Sequence, residues 1–379
     1  MDRSFFSISF DLILRGSELP YDLYVNSSSL EKKQKFIKVF PKKEVLEDND
    51  LLEMKDKYKQ LYVAEDERDL YVKSLIKNEN ASDIEVASLI KDSAISYLHQ
   101  IFDPKKDFNT VILEETISGC KDAVENMIDV LDDYSIDGLS KLIASLSAHD
   151  FYTYDHSINV SMYCISLLRA LKPDVSRVEL MHAGLGGLLH DLGKIKIPTN
   201  ILNSPGGLTE EQYQVIKTHP DIGFSLLDEI GIEVEGVDLK TISRVVHEHH
   251  EQWDGKGYPR GLKEKEIHLL ARVCTIADFF DAITTKRSYS QVLTISQGIA
   301  IMDKNVGTKL DPTLFKIFKN YIKHSNVEST KDMRMADHFD PTIPYAELPL
   351  EEIDKLFTDD DFGKIKLIED SDKPKKKKK

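Results

Sequence analysis

Five stretches of the chain put imidazoles and carboxylates where apolar helices end or turn inward. "GGLLHDLGKIKIP", residues 186–198, closes an apolar run in adjacent His190 and Asp191, turns at Gly193 and reaches Lys194. Uncompensated polar groups in such a place are costly. His156 in "YDHSINVSMYCISLL" shares an inward face with Val160, Tyr163, Cys164 and Leu167 at helical steps. His219 is expected to end the helix that Thr209 begins, just before Pro220. His249 and His250 end "TISRVVHEHH", and Asp278 and Asp281 lie one helical turn apart in "ARVCTIADFFDAIT". Singly, each has a bland reading as a satisfied core histidine, a cap or an ion-pair partner, and His182, His247 and His268 are left at that reading. Collectively, imidazole and carboxylate suit iron, manganese or zinc. A carboxylate can bridge two ions, so Asp191 is the natural centre of a binuclear site, where coordination compensates buried charge.

The three cysteines, Cys120, Cys164 and Cys274, are far apart and form no CxxC pair. That argues against a thiolate site, a zinc ribbon or a disulfide scaffold. Cys164 and Cys274 sit in apolar helical stretches and read as core. A net charge of −15 argues against a sequence-independent nucleic-acid binder, which needs a basic stripe, but leaves room for a local basic pocket.

The elements that must position these residues change character along the 379-residue chain. Phe6, Ile8, Phe10, Leu12 and Leu14 alternate with Ser7, Ser9 and Asp11, which predicts a half-buried strand. "YDLYV", "KFIKVF" and "QLYVA" predict further strands, and "EVLEDNDLLEMKDKYK" a partly helical segment, so residues 1–78 read as a small α+β domain with a regulatory or docking role. From about Ile84 the period becomes helical, through "IEVASLIKDSAISYLHQIF", "TVILEETISGCKDAVENMIDVL" and "GLSKLIASLSA". Residues 79–135 read as a helical linker that transmits a signal or dimerises, with no choice between the two. Residues 136–327 read as the helical domain that carries the site. "LTEEQYQVIKTH" opens with a capping-box pair, Thr209 and Gln212, while "NSPGG" and "WDGKGYPRG" are loop signals. Residues 328–379 read as an acidic, irregular tail. Its "PLEEIDKLFTDDDFGKIKLIEDSD" has room for a short helix, and its final lysine run reads as solvated. The N-terminus has neither the basic start of a signal peptide nor an uninterrupted apolar span, so a soluble cytoplasmic protein is expected.

"HDLGK" together with "HHEQWDGKGYP" resembles the HD-GYP family of bacterial HD phosphohydrolases. The likeness covers roughly residues 136–325, with "YTYDHSINV" upstream, "THPDIG" between and "IADFFDAITTKRSY" downstream. It implies a mainly α fold, an HD-type helical bundle preceded by the small α+β domain. It also implies a metal-dependent phosphodiesterase that hydrolyses cyclic di-GMP to pGpG or GMP, with iron or manganese as the metal. By the same resemblance His156, His190, Asp191 and Asp278 hold one ion, Asp191 bridges, and His219, His249 and His250 hold the second. Lys194 and Arg287 contact phosphate, Asp281 supports a ligand histidine by a hydrogen bond, and Gly257, Tyr258 and Pro259 form the loop bordering the site. Some members place a glutamate one turn before the first histidine and bind three ions; here that position is Tyr152, which favours two.

The chemistry expected of such a pair of ions follows from electrostatics. A phosphodiester repels nucleophiles, and a metal can lower the pKa of water to about 7, supplying a hydroxide for in-line attack. Lys194 and Arg287 would neutralise the phosphate oxygens. Gly255, Gly257 and Gly261 are read as permitting backbone conformations that other residues resist, and Pro259 as restricting Tyr258 towards extended geometry. That loop reads either as a presenter of Tyr258 to guanine or a partner protein, or as a rigid turn packed by Trp253. Two further functions stay in view: a non-catalytic cyclic di-GMP sensor or scaffold, and an HD phosphohydrolase for another cyclic dinucleotide such as cyclic GMP-AMP.

Overall fold

The computed structural model describes residues 3–28, 35–76, 78, 81–102, 109–132, 134, 136–146, 152–202, 208–228, 233–285, 293–322, 333–335 and 350–352. Alternating apolar residues near the N-terminus build an antiparallel sheet in the order β1-β4-β2-β3, from β1 (Phe5–Ile8), β2 (Leu23–Asn26), β3 (Phe36–Phe40) and β4 (Leu61–Ala64). The register sets Phe5 opposite Ala64 and Ile8 opposite Leu61. The strand predicted to run on to Leu14 stops at Ile8. The chain turns through a 3-10 segment, Phe10–Leu12, and so buries Ile13 completely. Helix α1 (Asp48–Lys57) precedes β4, and α2 (Arg68–Ile76) buries Tyr71, Val72 and Leu75, with Tyr71 edge-on to Tyr21.

Every later element of length is helical: α3 (Asp83–Phe102), α4 (Thr110–Val130), α5 (Ile136–Leu146), α6 (Tyr152–Leu171) and α7 (Arg177–Leu189). Short α8 (Thr199–Leu202) and α9 (Glu210–Ile216) lead to α10 (His219–Asp228) and α11 (Leu239–Glu248). Then come α12 (Leu269–Thr284), α13 (Ile295–Asp303) and α14 (Pro312–Tyr321). Caps fix several starts. Ser176 and Glu179 form a capping box on α7, Thr209 and Gln212 form one on α9, and Asp311 caps α14 ahead of Pro312. The helices expected to act as a linker pack into the same core: α3 and α4 lie on each other and on α6, and α4 also on α7. This is the mainly α fold with a small α+β N-terminal part that the sequence predicts.

Glycine decides how closely the central helices approach. A Cβ on Gly187 of α7 would lie 3.1 Å from the Ser161 Cα of α6, and one on Gly184 would lie 2.6 Å from Val124 of α4. The α6–α7 contact this permits brings the end of α7 beside the start of α6. In the tail, Leu350–Glu352 forms a strand (β6) paired with Met333–Met335 (β5), with Met333 opposite Glu352. The rest of the stretch with room for a short helix lies outside the described residues. Residues 353–379, including the lysine run, lie outside the described residues. Among the described residues no helix is long and apolar enough to cross a membrane.

Candidate metal centre

The imidazoles arrive from helix ends because a helix end is where a side chain can leave the bundle without breaking it. His190 caps α7, and Asp191 enters the 3-10 turn Leu192–Lys196. His249 caps α11, with His250 next. His156 lies in the first half of α6, and Asp278 and Asp281 line the buried face of α12. His219 departs from expectation: α9 stops at Ile216, and His219 opens α10 instead of closing α9. Pro220 explains the break, since a proline is accommodated in the first turn of a new helix but not in the interior of an old one.

The rings share a device that sets their tautomers. Nδ1 of His190 meets the Gly187 carbonyl at 2.7 Å, Nδ1 of His219 the Ile216 carbonyl at 2.8 Å, and Nδ1 of His249 the Val246 carbonyl at 2.8 Å. A carbonyl only accepts, so each Nδ1 carries a proton, and in the neutral form of the ring that leaves the lone pair on Nε2. On α6 the His156 Nδ1–H donates to Asp281 Oδ2 at 2.7 Å. Asp281 Oδ1 in turn accepts from Asn159 Nδ2 at 2.9 Å and Thr285 Oγ1 at 2.6 Å. This is the carboxylate support predicted for Asp281. Asn159 and Thr285 extend it, and nothing in their spacing singled them out.

The Nε2 atoms and carboxylates converge in two groups. Asp191, His219, His249 and His250 offer ligand atoms all within 4.8 Å of one another, and so do His156, His190 and Asp191. Asp191 belongs to both. Its Oδ1 lies 3.3 Å from His219 Nε2 and its Oδ2 3.3 Å from His190 Nε2. Asp278 Oδ1 stands 3.1 Å from His156 Nε2, beside the second group. The histidines His190, His219 and His249 are wholly buried, and His190 Nε2, Asp191 Oδ1 and Asp278 Oδ1 make no hydrogen bond among the described residues. Buried polar atoms left in that condition, all lone-pair donors of nitrogen or oxygen, fit divalent ions of borderline hardness.

Electrostatics carries the same signature. Burial alone would depress the His156 and His190 imidazoles, yet each is pushed up to about 9, His156 by Asp278 and Asp281 and His190 mainly by Asp191. Burial and the neighbouring imidazoles hold His249 and His250 well below their ordinary range. Burial would raise Asp191, but His190, Lys194 and His219 hold it well below the usual carboxylate range. Lys194 Nζ lies 2.6 Å from Asp191 Oδ2, so the ammonium already stands at the centre.

The ring of Tyr258 stacks on His250 at 4.8 Å and 17°, and the Lys217 ammonium lies 4.9 Å from the Tyr258 centroid. The loop is held by Glu251, buried and adjacent to His250, whose carboxylate accepts from the Arg260 N–H at 2.7 Å and the Leu262 N–H at 2.9 Å. Sequence reasoning missed Glu251, although its place directly after two candidate ligands was a signal. It also missed Thr275, whose hydroxyl donates to the His249 carbonyl at 2.7 Å. Gly255 and Gly261 have φ of +83° and +68°, as their type permits. Gly257 and Gly193 are different, with φ outside the left-handed region. A Cβ on Gly257 would lie 2.3 Å from the Gln252 nitrogen, and one on Gly193 1.9 Å from the His219 oxygen. Both are glycines for close approach, not for turning, and the Tyr258–Pro259 peptide is cis.

The three histidines given bland readings have local partners. His182 Nε2 accepts from the Asp238 N–H, His247 Nε2 meets Asp221 Oδ1 at 2.8 Å, and His268 Nδ1 caps α12. Arg287 lies outside the described residues. Tyr152 is the first residue of α6.

Residues 139–314 match the family described as HD domain. A cyclic di-GMP phosphodiesterase of Pseudomonas aeruginosa, PA4108, is 38% identical over 177 residues, 46% of this chain and 41% of its own length. The 3′3′-cGAMP-specific phosphodiesterase 3 of Vibrio cholerae is 36% identical over 169 residues, 44% of this chain and 35% of its own. The cyclic di-GMP phosphodiesterase of Thermotoga maritima is 31% identical over 194 residues, 51% of each chain. Matches to these curated relatives span about a third to a half of their length. Among solved structures, Bd1817, an HDG"Y"P protein from Bdellovibrio bacteriovorus, aligns over 85% of this chain and all of its own, with TM-score 0.51 and 21% identity, a likeness of fold.

Proposed function

From a chain whose residues 139–314 match the HD domain and whose motifs resemble the HD-GYP type, we propose a metal-dependent phosphodiesterase that hydrolyses cyclic di-GMP to pGpG or GMP. One observation carries the reading: two groups of buried donor atoms meet in a single carboxylate, Asp191. His156, His190, Asp191 and Asp278 would hold one divalent ion, and Asp191, His219, His249 and His250 the other, with iron or manganese the metals suited to this donor set. When bound, such a pair supplies Lewis acidity and brings the pKa of water to about 7.

The chain's own residues do the rest. The Nδ1–H bonds to Gly187, Ile216 and Val246 fix three rings with Nε2 facing the centre, and Asp281 does so for His156. Lys194, three residues after Asp191, exchanges its contact with that carboxylate for a non-bridging phosphate oxygen and offsets charge as the diester reacts. By the family resemblance Arg287 is assigned the same task. Tyr258, packed on His250, borders the nucleotide. A second-messenger substrate fits a cytoplasmic protein, with signalling partners meeting the GYP loop or the N-terminal domain and the helices of residues 79–135 transmitting a signal or joining a second copy.

The test is anaerobic loading of the purified chain with iron or manganese, followed by incubation with cyclic di-GMP and 3′3′-cyclic GMP-AMP and product analysis by liquid chromatography. Turnover of cyclic di-GMP, abolished together with metal content by Asp191→Ala, is the expected result. Preferential turnover of the hybrid dinucleotide would move the substrate, a reading favoured by the 36% identity to a protein named for that specificity. Tight binding of either without product would replace the enzyme with a sensor.

A further inference from the structure

Lys91 lies mid-helix in α3 and is 6% exposed, although lysine is seldom buried unless it is paired. Its Nζ lies 2.9 Å from Asp155 Oδ1 and donates to the Leu146 carbonyl. Leu146 is the last residue of α5, where a helix leaves its final carbonyls without partners. Asp155 lies in the first turn of α6. One ammonium therefore ties the end of α5 and the start of α6 to a third helix. Two further α3 side chains bear on the same turn: the rings of His99 and Phe102 lie 6.1 and 5.8 Å from that of Tyr154. The contacted residues, Tyr154 and Asp155, immediately precede His156.

Packing alone does not call for this arrangement. An apolar side chain would fill the space beneath α3 without the desolvation cost of a buried ion pair. What an ammonium adds is direction, because its N–H donors need acceptors at hydrogen-bond distance, here the Leu146 carbonyl and the Asp155 carboxylate. That constraint fixes the rotation and the height of α6 at its first turn. The position of His156 Nε2 follows from both.

We propose that Lys91 is a positioning residue for the metal centre, holding the first turn of α6 so that His156 meets the ion it shares with His190 and Asp191. The proposal rests on His156 being a metal ligand, as proposed above. Its contacts are with α5 and α6, whereas His219, His249 and His250 stand at the start of α10 and the end of α11.

The experiment titrates manganese into the chelator-stripped full-length chain by calorimetry, for wild type, Lys91→Met, Lys91→Arg, Asp155→Asn and His156→Ala. Wild type binds two ions, and His156→Ala identifies the step belonging to His156. Lys91→Met weakens that step by about 10–100-fold, the range for residues that orient a ligand, and leaves the other step at its wild-type affinity. Lys91→Arg, which keeps a cation at that position, restores most of the loss, and Asp155→Asn reproduces it in part. A purely structural role would lower the thermal midpoint of Lys91→Met while both steps stay at wild-type affinity, and that result overturns the proposal. If Lys91→Met does not fold, Asp155→Asn decides by the same criterion. A wild type that binds no metal overturns the reading of the centre and this proposal with it, whereas two ions bound at wild-type affinity in every Lys91 and Asp155 variant overturn the proposal alone.

Discussion

Replacing Gly193 with alanine adds one methyl group at the tightest backbone crossing of the centre. An added Cβ would stand 1.9 Å from the His219 oxygen, 2.8 Å from the His219 carbonyl carbon and 2.7 Å from the Gly223 nitrogen. All three are backbone atoms, so no side chain can rotate out of the way. Real Cβ atoms essentially never approach closer than 3.0 Å, so the 3-10 turn and the start of α10 must part by roughly 1 Å. His219 moves with that backbone. Metal–imidazole bonds are about 2.0–2.1 Å long and tolerate about 0.2 Å, so the displacement is about five times what coordination allows. Overpacking of this kind costs about 1–3 kcal/mol, which leaves a protein of ordinary stability folded. The expected variant is therefore folded, short of one ion by elemental analysis, and slower on cyclic di-GMP by on the order of 100-fold or more. Gly223→Ala grades the argument. Its nearest obstacle is a methyl group of Val246 at 2.6 Å, a side chain that can adjust, so its loss is smaller. Gly186→Ala, 3.0 Å from Val245, is milder still. A Gly193→Ala protein with two ions and wild-type turnover would refute the reasoning, because no other contact on α10 would then explain a glycine at that position.

Three further outcomes are expected. Asp281→Asn removes the carboxylate that accepts from His156 Nδ1, so affinity for the ion at His156 falls by about 10–100-fold while the ion at His219 is retained, as a two-step metal titration will show. Manganese at 100 times its dissociation constant stabilises the folded chain by about 2.7 kcal/mol, visible as a chelator-reversible rise in thermal midpoint, and an unchanged midpoint would contradict a preformed centre. In the N-terminal sheet, burial would raise Asp22, but Lys38 and the Lys42 N–H hold it below its ordinary value of 3.8. A lowered folded-state value makes its contribution to stability full above pH 3.8 and lost as pH falls through the folded value, so Asp22→Asn should flatten the acid limb of the unfolding curve; an identical limb in the variant would exclude this pair as its source.

What was legible in the chain was what chemistry requires of residue type. A divalent ion accepts few side chains, so the imidazoles and carboxylates at His156, His190, Asp191, His219, His249, His250 and Asp278 stood out together as candidates, and the family resemblance sorted them into a ligand set. Strand and helix periods were legible for the same reason, since burial on one face leaves a pattern. Geometry that depends on a distant neighbour left none. The alternation through Leu14 is a fair strand signal, yet the chain turns after Ile8 because the core has a place for Ile13 that an extended strand would not fill. His219 looked like a helix end because α9 does stop nearby, and only the helix following it shows that His219 opens α10. Lys91 and Asp155 are 64 residues apart in sequence and meet only because α3 crosses α6.

The proposed ligands fall into two halves, α6, α7 and α12 on one side and α10 and α11 on the other, joined at Asp191. Asp191 begins the turn that contains Gly193, and Gly193 is where that turn lies against the backbone of α10. The bridging carboxylate and the closest backbone contact are thus two residues apart on one segment. Any motion that separates the halves must open the Gly193–His219 crossing and pull Asp191 away from one of its two groups. Occupancy of the ion proposed at His219 and the packing of α10 on the 3-10 turn should therefore be coupled, so that substitutions at the crossing shift both together.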